Sequence, residues 1–419
     1  MCITRRITLC IPVRSWPLHV WAFFSQKGHA VLVLAQPRID VNGSIFQKET
    51  PMKFTVQAAP LAAILKQCGR VASKKAGDIN GNFLIDVQDG HLNVTANNGH
   101  QQMSLHLQDP SLIVREAGSV CISASKFEQI VSSLPVDRDV TVSVGEEKAT
   151  VTCGRSRFSI ATLPASSFPK ALHSDGQVQT ALTIESHALR DGIRGIAFCV
   201  ARNDVRQYLN GMLFEASEGK LTLVGTDGHR MGMVELQIEK SSSMKFILPV
   251  ACLEDVASFA SHGYVTITHS GNLVSITAVN GTMTSRLVDG AFPNYCALIE
   301  RAETGQQINL NRDAITSAVA RVSLLSDGKS QAVRLKFCQQ TVEVVSVSND
   351  ALSEAEDLLP CDFDAAPFDV GFNSRYAQEA FKAVSSTDLQ LFYSGPASGT
   401  LIKAKDCPHQ KFVLMPVRL

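Results

Sequence analysis

The chain has 419 residues, 45% of them apolar and 19% charged, which describes globular protein with ample core and about three domains. Lys+Arg and Asp+Glu are both 39, so the net charge is zero. That excludes a surface coated in basic residues and leaves room only for a local basic face.

Residues 1–51 differ in kind from the rest. They hold both tryptophans, Trp16 and Trp21, with basic residues scattered among them and only Asp40 and Glu49 as acids. Their apolar pieces, HVWAFF and AVLVLA, are too short to span a bilayer, so no membrane is expected as a partner. A transit peptide is one reading of this arginine-bearing, acid-poor stretch. The favoured reading is a disordered or mis-started extension before the MKFTV that begins at Met52. The cysteines stand singly with no CxxC pair, which argues against a zinc site and for buried, reduced thiols in a cytoplasmic protein. No metal and no cofactor are expected.

After Met52 one pattern recurs: a helix of three to four turns, then about four strands in hairpins. The first helix lies in PLAAILKQCGRVASK, with Pro60 in its first turn. Strands follow in NFLIDVQDGHLNVTAN, turning at Asp89-Gly90, and in QMSLHLQ. The second helix lies in VCISASKFEQIVSSLP, with Ser123 or Ser125 as cap. Its strands are VTVSVGEEKATVTCG and RFSIATLP. The third unit pairs the helix IESHALRDGIRGIAFCVA with strands from Gly211 to MVELQIE. There Met212, Phe214 and Ala216 alternate with Leu213 and Glu215, and apolar residues on both sets predict a strand covered on both faces. The fourth helix is ILPVACLEDVASFA, before YVTITHSGNLVSITAVNGTMTSRLV. The fifth and sixth are NLNRDAITSAVARVSLLS and VGFNSRYAQEAFKAVS, followed by AVRLKFCQQTVEVVSVS, LQLFYSGPASGTLIKAK and KFVLMPVRL.

The second, fourth and sixth helices lie roughly 124 residues apart, the spacing of tandem domains rather than of a solenoid. The joints fall at polar, turn-rich HSDGQV (173–178) and ERAETG (300–305). The domains are therefore 52–176, 177–303 and 304–419, after the extension 1–51. Each holds two helix-plus-sheet units, an α+β architecture with helices packed on one side and sheets outside.

Basic residues form stripes. Lys66, Arg70 and Lys74 fall at i, i+4, i+8, and Arg190 and Arg194, then Arg202 and Arg206, repeat the i, i+4 spacing. Arg312, Arg321 and Lys329 lie in or near the fifth helix, Lys126, Arg375 and Lys382 in the second and sixth. On their own these are ordinary solvated helix faces. The densest functional cluster is Thr226-Asp227-Gly228-His229-Arg230. Asp227 and His229 could serve as acid and base. The simpler reading is a tight Asp-Gly turn whose amides are tied down by Thr226 and Asp227. No nucleophile, metal triad or phosphate loop accompanies the pair, and GxxxxGK[ST], HExxH and GxSxG are absent.

Four ordered motifs, DVRQYLNGMLFE, TDGHR, SRLVDGAFPNY and the terminal FVLMPVRL, resemble the bacterial sliding clamps, the β subunits of DNA polymerase III. The resemblance runs from Met52 to Leu419. It implies three tandem clamp domains closing as a ring-shaped head-to-tail homodimer, helices inside, around duplex DNA. It implies a non-catalytic processivity subunit whose partners are DNA read without sequence preference, the polymerase catalytic subunit, the clamp loader and other proteins with a clamp-binding motif. The basic stripes then face the hole and meet phosphates without reading bases. Candidate DNA contacts are Lys66, Arg70, Lys74, Lys75, Arg190, Arg194, Arg202, Asn203, Gln207 and Tyr208. Gln207 stands where relatives carry an aromatic.

The resemblance also places the subunit junction at Lys126, Ile130, Leu134, Arg155, Arg157 and Phe158 against Leu324, Leu325, Glu354, Glu356 and Asp357. Arg155 and Arg157 alternate along a strand, and apolar anchors carry the affinity while charges set orientation. It places a groove for a short linear motif at Arg206, Leu209, Thr226, Gly228, His229, Met231, Pro293, Leu298, Asn373, Tyr376, Val413, Met415, Pro416 and Val417. Ala297 replaces a basic residue of relatives, and Met231 and Val417 are changed apolar residues. A second clamp copy specialised for repair or antibiotic resistance and an enzyme using Asp227 and His229 are the other readings.

Overall fold

The computed structural model describes residues 21–24, 30–33, 52–75, 77–88, 90–172, 180–239, 243–325, 332–346 and 354–418. The chain divides into two compact units, Met1–Thr50 and Pro51–Leu419. In the first, Trp21–Phe24 pairs antiparallel with Ala30–Val33. The remainder of 1–51, and with it the reading of that stretch as a disordered or mis-started extension, lies outside the described residues, as do Asp89, Lys329 and the joint at 173–178.

The second unit contains helices α1 (Ala58–Gly69), α2 (Ala124–Ser132), α3 (Ser186–Ile196), α4 (Val250–Phe259), α5 (Tyr295–Glu303), α6 (Arg312–Val322) and α7 (Ser374–Ala383). Helices α1 and α2, α3 and α4, and α6 and α7 pack in pairs. The apolar spacing explains the buried faces: Leu61, Ile64, Leu65 and Cys68 fall at i, i+3, i+4, i+7 in α1. Asn311 and Asn373 cap α6 and α7, each side-chain oxygen accepting from the backbone N–H three residues on. Ser123 sits at the cap position of α2, but its side chain makes no capping bond, contrary to expectation.

The strands are antiparallel and alternate in burial. Phe83, Ile85 and Val87 point into the core, as do Leu92, Val94 and Ala96 of the neighbouring strand. Among the described residues of this unit there are sheets of thirteen, eight and four strands. Two of them cross domain boundaries. Gln101–Leu107 pairs with Gly281–Arg286, joining the first domain to the second. Arg230–Val234 pairs with Gln410–Leu414, joining the second to the third. At the first joint Gly281, with φ of +150°, lies so close that a Cβ would run into the Ser104 carbonyl. Glycine is the residue that permits this approach.

Gly211–Ser217 is covered on both faces, as its pattern predicts. Met212, Phe214 and Ala216 belong to the core under the paired helices, and Leu213 to a second apolar cluster on the opposite face. Helix α5 covers that cluster with Leu298, Ile299 and Ala302. The end of this helix takes up residues 300–303 of the ERAETG joint that the sequence marks as a turn, and only Thr304 and Gly305 turn. Glu300, Arg301 and Glu303 are exposed and are the solvent face of a short amphipathic helix, which composition alone does not separate from a loop.

Two helix ends differ from expectation. Helix α1 stops at Gly69, so Lys74 lies beyond it and shares no helix face with Lys66. Helix α3 stops at Ile196 and passes through the turn Ala197–Cys199, so Arg202 and Arg206 are not on a helix. Local side-chain bonds hold that segment away from helix. The Asp204 N–H donates to Asn210 Oδ1 at 2.8 Å, Asn210 Nδ2 donates to the Asp204 carbonyl at 2.8 Å, and the Arg206 N–H donates to Asp204 Oδ1 at 2.8 Å.

Candidate functional site

A groove with a cavity of about 170 Å³ opens on the face of the eight-stranded sheet covered by α5. Of the expected residues, Arg206, Leu209, Thr226, Gly228, Met231, Pro293, Leu298, Val413 and Met415 line it. Met231 and Val413 are cross-strand partners and form its floor. The chain terminus forms an edge: the Met415 N–H donates to the His229 carbonyl and the Val417 N–H to the Gly371 carbonyl, both at 2.9 Å. His229, Asn373, Tyr376, Pro416 and Val417 are not among the lining residues. Asn373 instead caps α7, and the Tyr376 ring lies 6.4 Å from the exposed His229 ring.

Sequence reasoning missed Phe292, Asn294 and Tyr295, which line the wall, and Arg230. Phe292, Asn294 and Tyr295 stand beside Pro293 in the quoted SRLVDGAFPNY motif, the signal that could have found them. Tyr208, assigned to the DNA face, lines the groove and packs beside Gly290. The Tyr295 hydroxyl donates to Glu215 Oε2 at 2.7 Å, and Lys245 Nζ donates to Glu215 Oε1 at 2.7 Å. Burial pushes the Glu215 carboxyl up, but these two bonds outweigh it and hold it below the ordinary range. Burial and the adjacent carboxylate push the Tyr295 hydroxyl well above its ordinary value.

The Thr226–Arg230 turn is built as structure. Gly228 adopts φ of +87°, Thr226 Oγ1 donates to the Arg230 carbonyl at 2.7 Å, and Asp227 Oδ1 accepts the N–H groups of His229 and Arg230 at 2.9 Å. Arg230 is only 8% exposed. Its guanidinium pairs with Asp227 at 3.1 Å and with Glu379, and lies 4.1 Å from the Tyr376 ring centre. Burial opposes the charge on Arg230, yet the bond it donates to Glu379 and the surrounding charges raise its proton affinity. Asp227 is thus engaged by backbone and Arg230, not by His229, which removes the acid–base pair from the enzymatic reading. At the rim, Arg206 forks onto Asp204 and holds that carboxyl down at about 2.

The basic face is less free than its stripes implied. Arg70 Nε pairs with Asp255 at 2.7 Å, Arg190 with Asp191 at 2.9 Å and Arg194 with Glu254 at 2.9 Å. Lys66, Lys74, Lys75 and Arg202 are exposed and have no ion-pair partner among the described residues. Lys74, Lys75 and Lys126 line a cleft of about 900 Å³ between the end of α1 and the start of α2. Asn203, at φ of +61°, and Gln207 are exposed on the segment after α3.

At the proposed junction Lys126 and Arg157 are exposed, Ile130 and Phe158 half-buried, and Leu134 buried. Arg155 sits in the two-residue turn before Ser156, not on the strand with Arg157. Ser156–Ala161 pairs with Lys148–Cys153 on one edge, and the other edge is taken up only from Thr162 onward. Among the described residues, Glu356–Pro360 is the last strand of its sheet in the third domain. Beside it Leu324 is 82% and Leu325 46% exposed, and Leu358, unanticipated, is 66% exposed. Glu354 and Glu356 are exposed, whereas Arg321 Nε donates to Asp357 at 2.8 Å.

Three consecutive domains that share sheets, with a groove at the second joint, define a clamp-type architecture, and comparison with known proteins identifies it. Residues 52–172, 183–294 and 302–418 match the N-terminal, central and C-terminal domains of the DNA polymerase III beta subunit. The chain is 32% identical over 372 residues to the beta sliding clamp of Vibrio cholerae and 30% identical over 374 residues to that of Escherichia coli K12. Each alignment covers 88% of this chain and all of the relative. A Pseudomonas aeruginosa sliding clamp solved bound to griselimycin superposes with a TM-score of 0.83 at 29% identity, again over 88% of this chain and all of that one.

The chain therefore belongs to the family of DNA polymerase III β subunits, the bacterial sliding clamps. Its activity is that of a non-catalytic processivity factor in DNA replication. The comparisons give no support to a specialised second copy. Among the described residues no helix is long and apolar enough to cross a membrane.

Proposed function

We propose that two copies of this chain close head to tail into a ring that encircles duplex DNA in the cytoplasm and presents the groove to the polymerase, the clamp loader and other motif-bearing proteins. The observation that carries this is a pair of strand edges, in different domains, left open among the described residues. Ser156–Ala161 offers one, beside Arg157 and Phe158. Glu356–Pro360 offers the other, beside Leu324, Leu325, Leu358 and the exposed Glu354 and Glu356. Left exposed, such edges and leucines invite aggregation, and mutual pairing covers both. A head-to-tail contact is heterologous and closes when the rotation permits.

Lys66, Lys74, Lys75 and Arg202 supply dispersed positive charge, which holds phosphates weakly and leaves the ring mobile. Encirclement then supplies retention without tight binding. The test is to load the protein on nicked circular DNA and then linearise it. Retention on the circle and loss from the linear form support the reading; equal retention on both overturns it.

A further inference from the structure

The groove has a floor and a wall of different origin. The floor is sheet, with Met231 and Val413 paired across the joint between the second and third domains. The wall is the segment Phe292–Tyr295 with the first turns of α5, and it belongs to neither sheet. Something must fix the wall over the floor. At the far end of α5, Lys411 Nζ pairs with Glu303 at 2.8 Å. At the groove end, the contact is Tyr295 with Glu215, whose strand Gly211–Ser217 is separated from that of Val413 by two intervening strands. Glu215 is itself held from the other side by Lys245 on the edge strand Met244–Pro249.

We propose that Glu215 is a positioning residue for the groove. It does not line the cavity; it accepts the Tyr295 hydroxyl and thereby sets the wall's distance from the floor. Tyr295 presents its ring to the ligand and its hydroxyl to Glu215, so the apolar surface of the wall is placed by a polar bond behind it. Lys245 occupies the second carboxylate oxygen and keeps the first aimed at Tyr295. The inference rests on the groove being the partner site.

The test uses full-length chain and four variants: Tyr295→Phe, Glu215→Ala, Glu215→Gln and the double variant Tyr295→Phe/Glu215→Ala. Binding is measured with the cognate polymerase catalytic subunit and with griselimycin. Tyr295→Phe keeps the ring, so a purely apolar role predicts no change. Positioning predicts that Tyr295→Phe and Glu215→Ala each weaken binding roughly five- to tenfold. The double variant should lose no more than either single. Glu215→Gln, whose amide oxygen still accepts, should restore most of the affinity.

Wild-type affinity for Tyr295→Phe, or losses that add in the double variant, overturns the proposal. A second readout needs no ligand. In the free protein, amide exchange over residues 292–299 should rise in Glu215→Ala and stay at the wild-type level in Glu215→Gln. If neither probe binds the wild type, the groove reading fails; if exchange is unchanged in Glu215→Ala, the positioning role fails whatever binds.

Discussion

Arg70 of the first domain and Asp255 of the second form an ion pair, Nε to Oδ1 2.7 Å, across the joint between two helix pairs. Asp255 is largely buried, and burial lifts its carboxyl above the ordinary range even though Arg70 pulls the other way. A carboxyl raised in the fold contributes most stability below its unfolded value and loses it as pH rises through the folded one. Arg70→Gln removes the opposing charge and raises it further. The variant should be less stable by about 1–2 kcal/mol near neutral pH. The gap should narrow towards about pH 4, where the carboxyl is increasingly protonated in both proteins. Thermal melts across that range check it, and a gap that widens on acidification contradicts it.

The same pairing changes what Arg70 does for DNA. Lys74, Lys75 and Arg202 have no ion-pair partner among the described residues, while Arg70, Arg190 and Arg194 do. Each free cation that meets a phosphate contributes about one unit to the slope of log K against log salt. Lys74→Gln and Lys75→Gln should each flatten that slope by about one unit on duplex DNA. Arg190→Gln should leave it nearly unchanged. Fluorescence anisotropy over a salt series separates these outcomes.

The repeated helix-and-strand unit was legible because its signals are periodic. Leu61, Ile64, Leu65 and Cys68 mark a helix face, and Phe83, Ile85 and Val87 a strand face, without knowledge of neighbours. Helix α5 was not legible, because a short helix with polar residues outward is stabilised by the sheet it covers. Most of the groove lining followed from matched motifs. Tyr295 and Arg230 stand in the same motifs, but what each holds does not follow from them, since Glu215 and Glu379 are distant in sequence. The basic stripes misled for the same reason: spacing records where a charge sits, not which carboxylate the fold brings to it.

Leu324 and Leu325 form a turn after α6 with no core of their own. Because they are exposed, their replacement by alanine costs the isolated chain little stability. It removes apolar anchors from the proposed junction, where a few such residues carry most of the energy. Leu324→Ala/Leu325→Ala should sediment as a monomer at micromolar concentration with an unchanged melting profile. Leu358→Asp should act in the same direction. A dimer of wild-type affinity in both would place the interface elsewhere.

Arg230 and His229 are adjacent, and their substitution separates structure from chemistry. Arg230→Ala leaves Asp227 and Glu379 without their buried partner and should cost about 2–4 kcal/mol. His229→Ala, at an exposed position, should change stability by less than about 0.5 kcal/mol. Neither variant should alter any phosphoester turnover, since Asp227 is consumed in holding the turn. A hydrolytic activity that disappears selectively in His229→Ala would restore the enzymatic reading.

The terminal strand limits how the groove can be tested. Gln410–Leu414 is an inner strand, paired with Arg230–Val234 on one edge and with Thr400–Lys403 on the other. Deleting Val413 onward, an obvious way to remove the groove, would also remove the fully buried Val413 and Leu414 and unzip the joint between two domains. Met415 is the better target. It lines the cavity and is half-buried, and its backbone N–H keeps its bond to His229 when the side chain is shortened. Met415→Ala should leave the fold and the dimer intact and weaken polymerase binding by about 1–2 kcal/mol, the range for truncating an apolar anchor in a pocket. Titration calorimetry with the polymerase subunit measures it, with sedimentation as the control. Unchanged affinity in a folded dimer would move the partner site away from this groove.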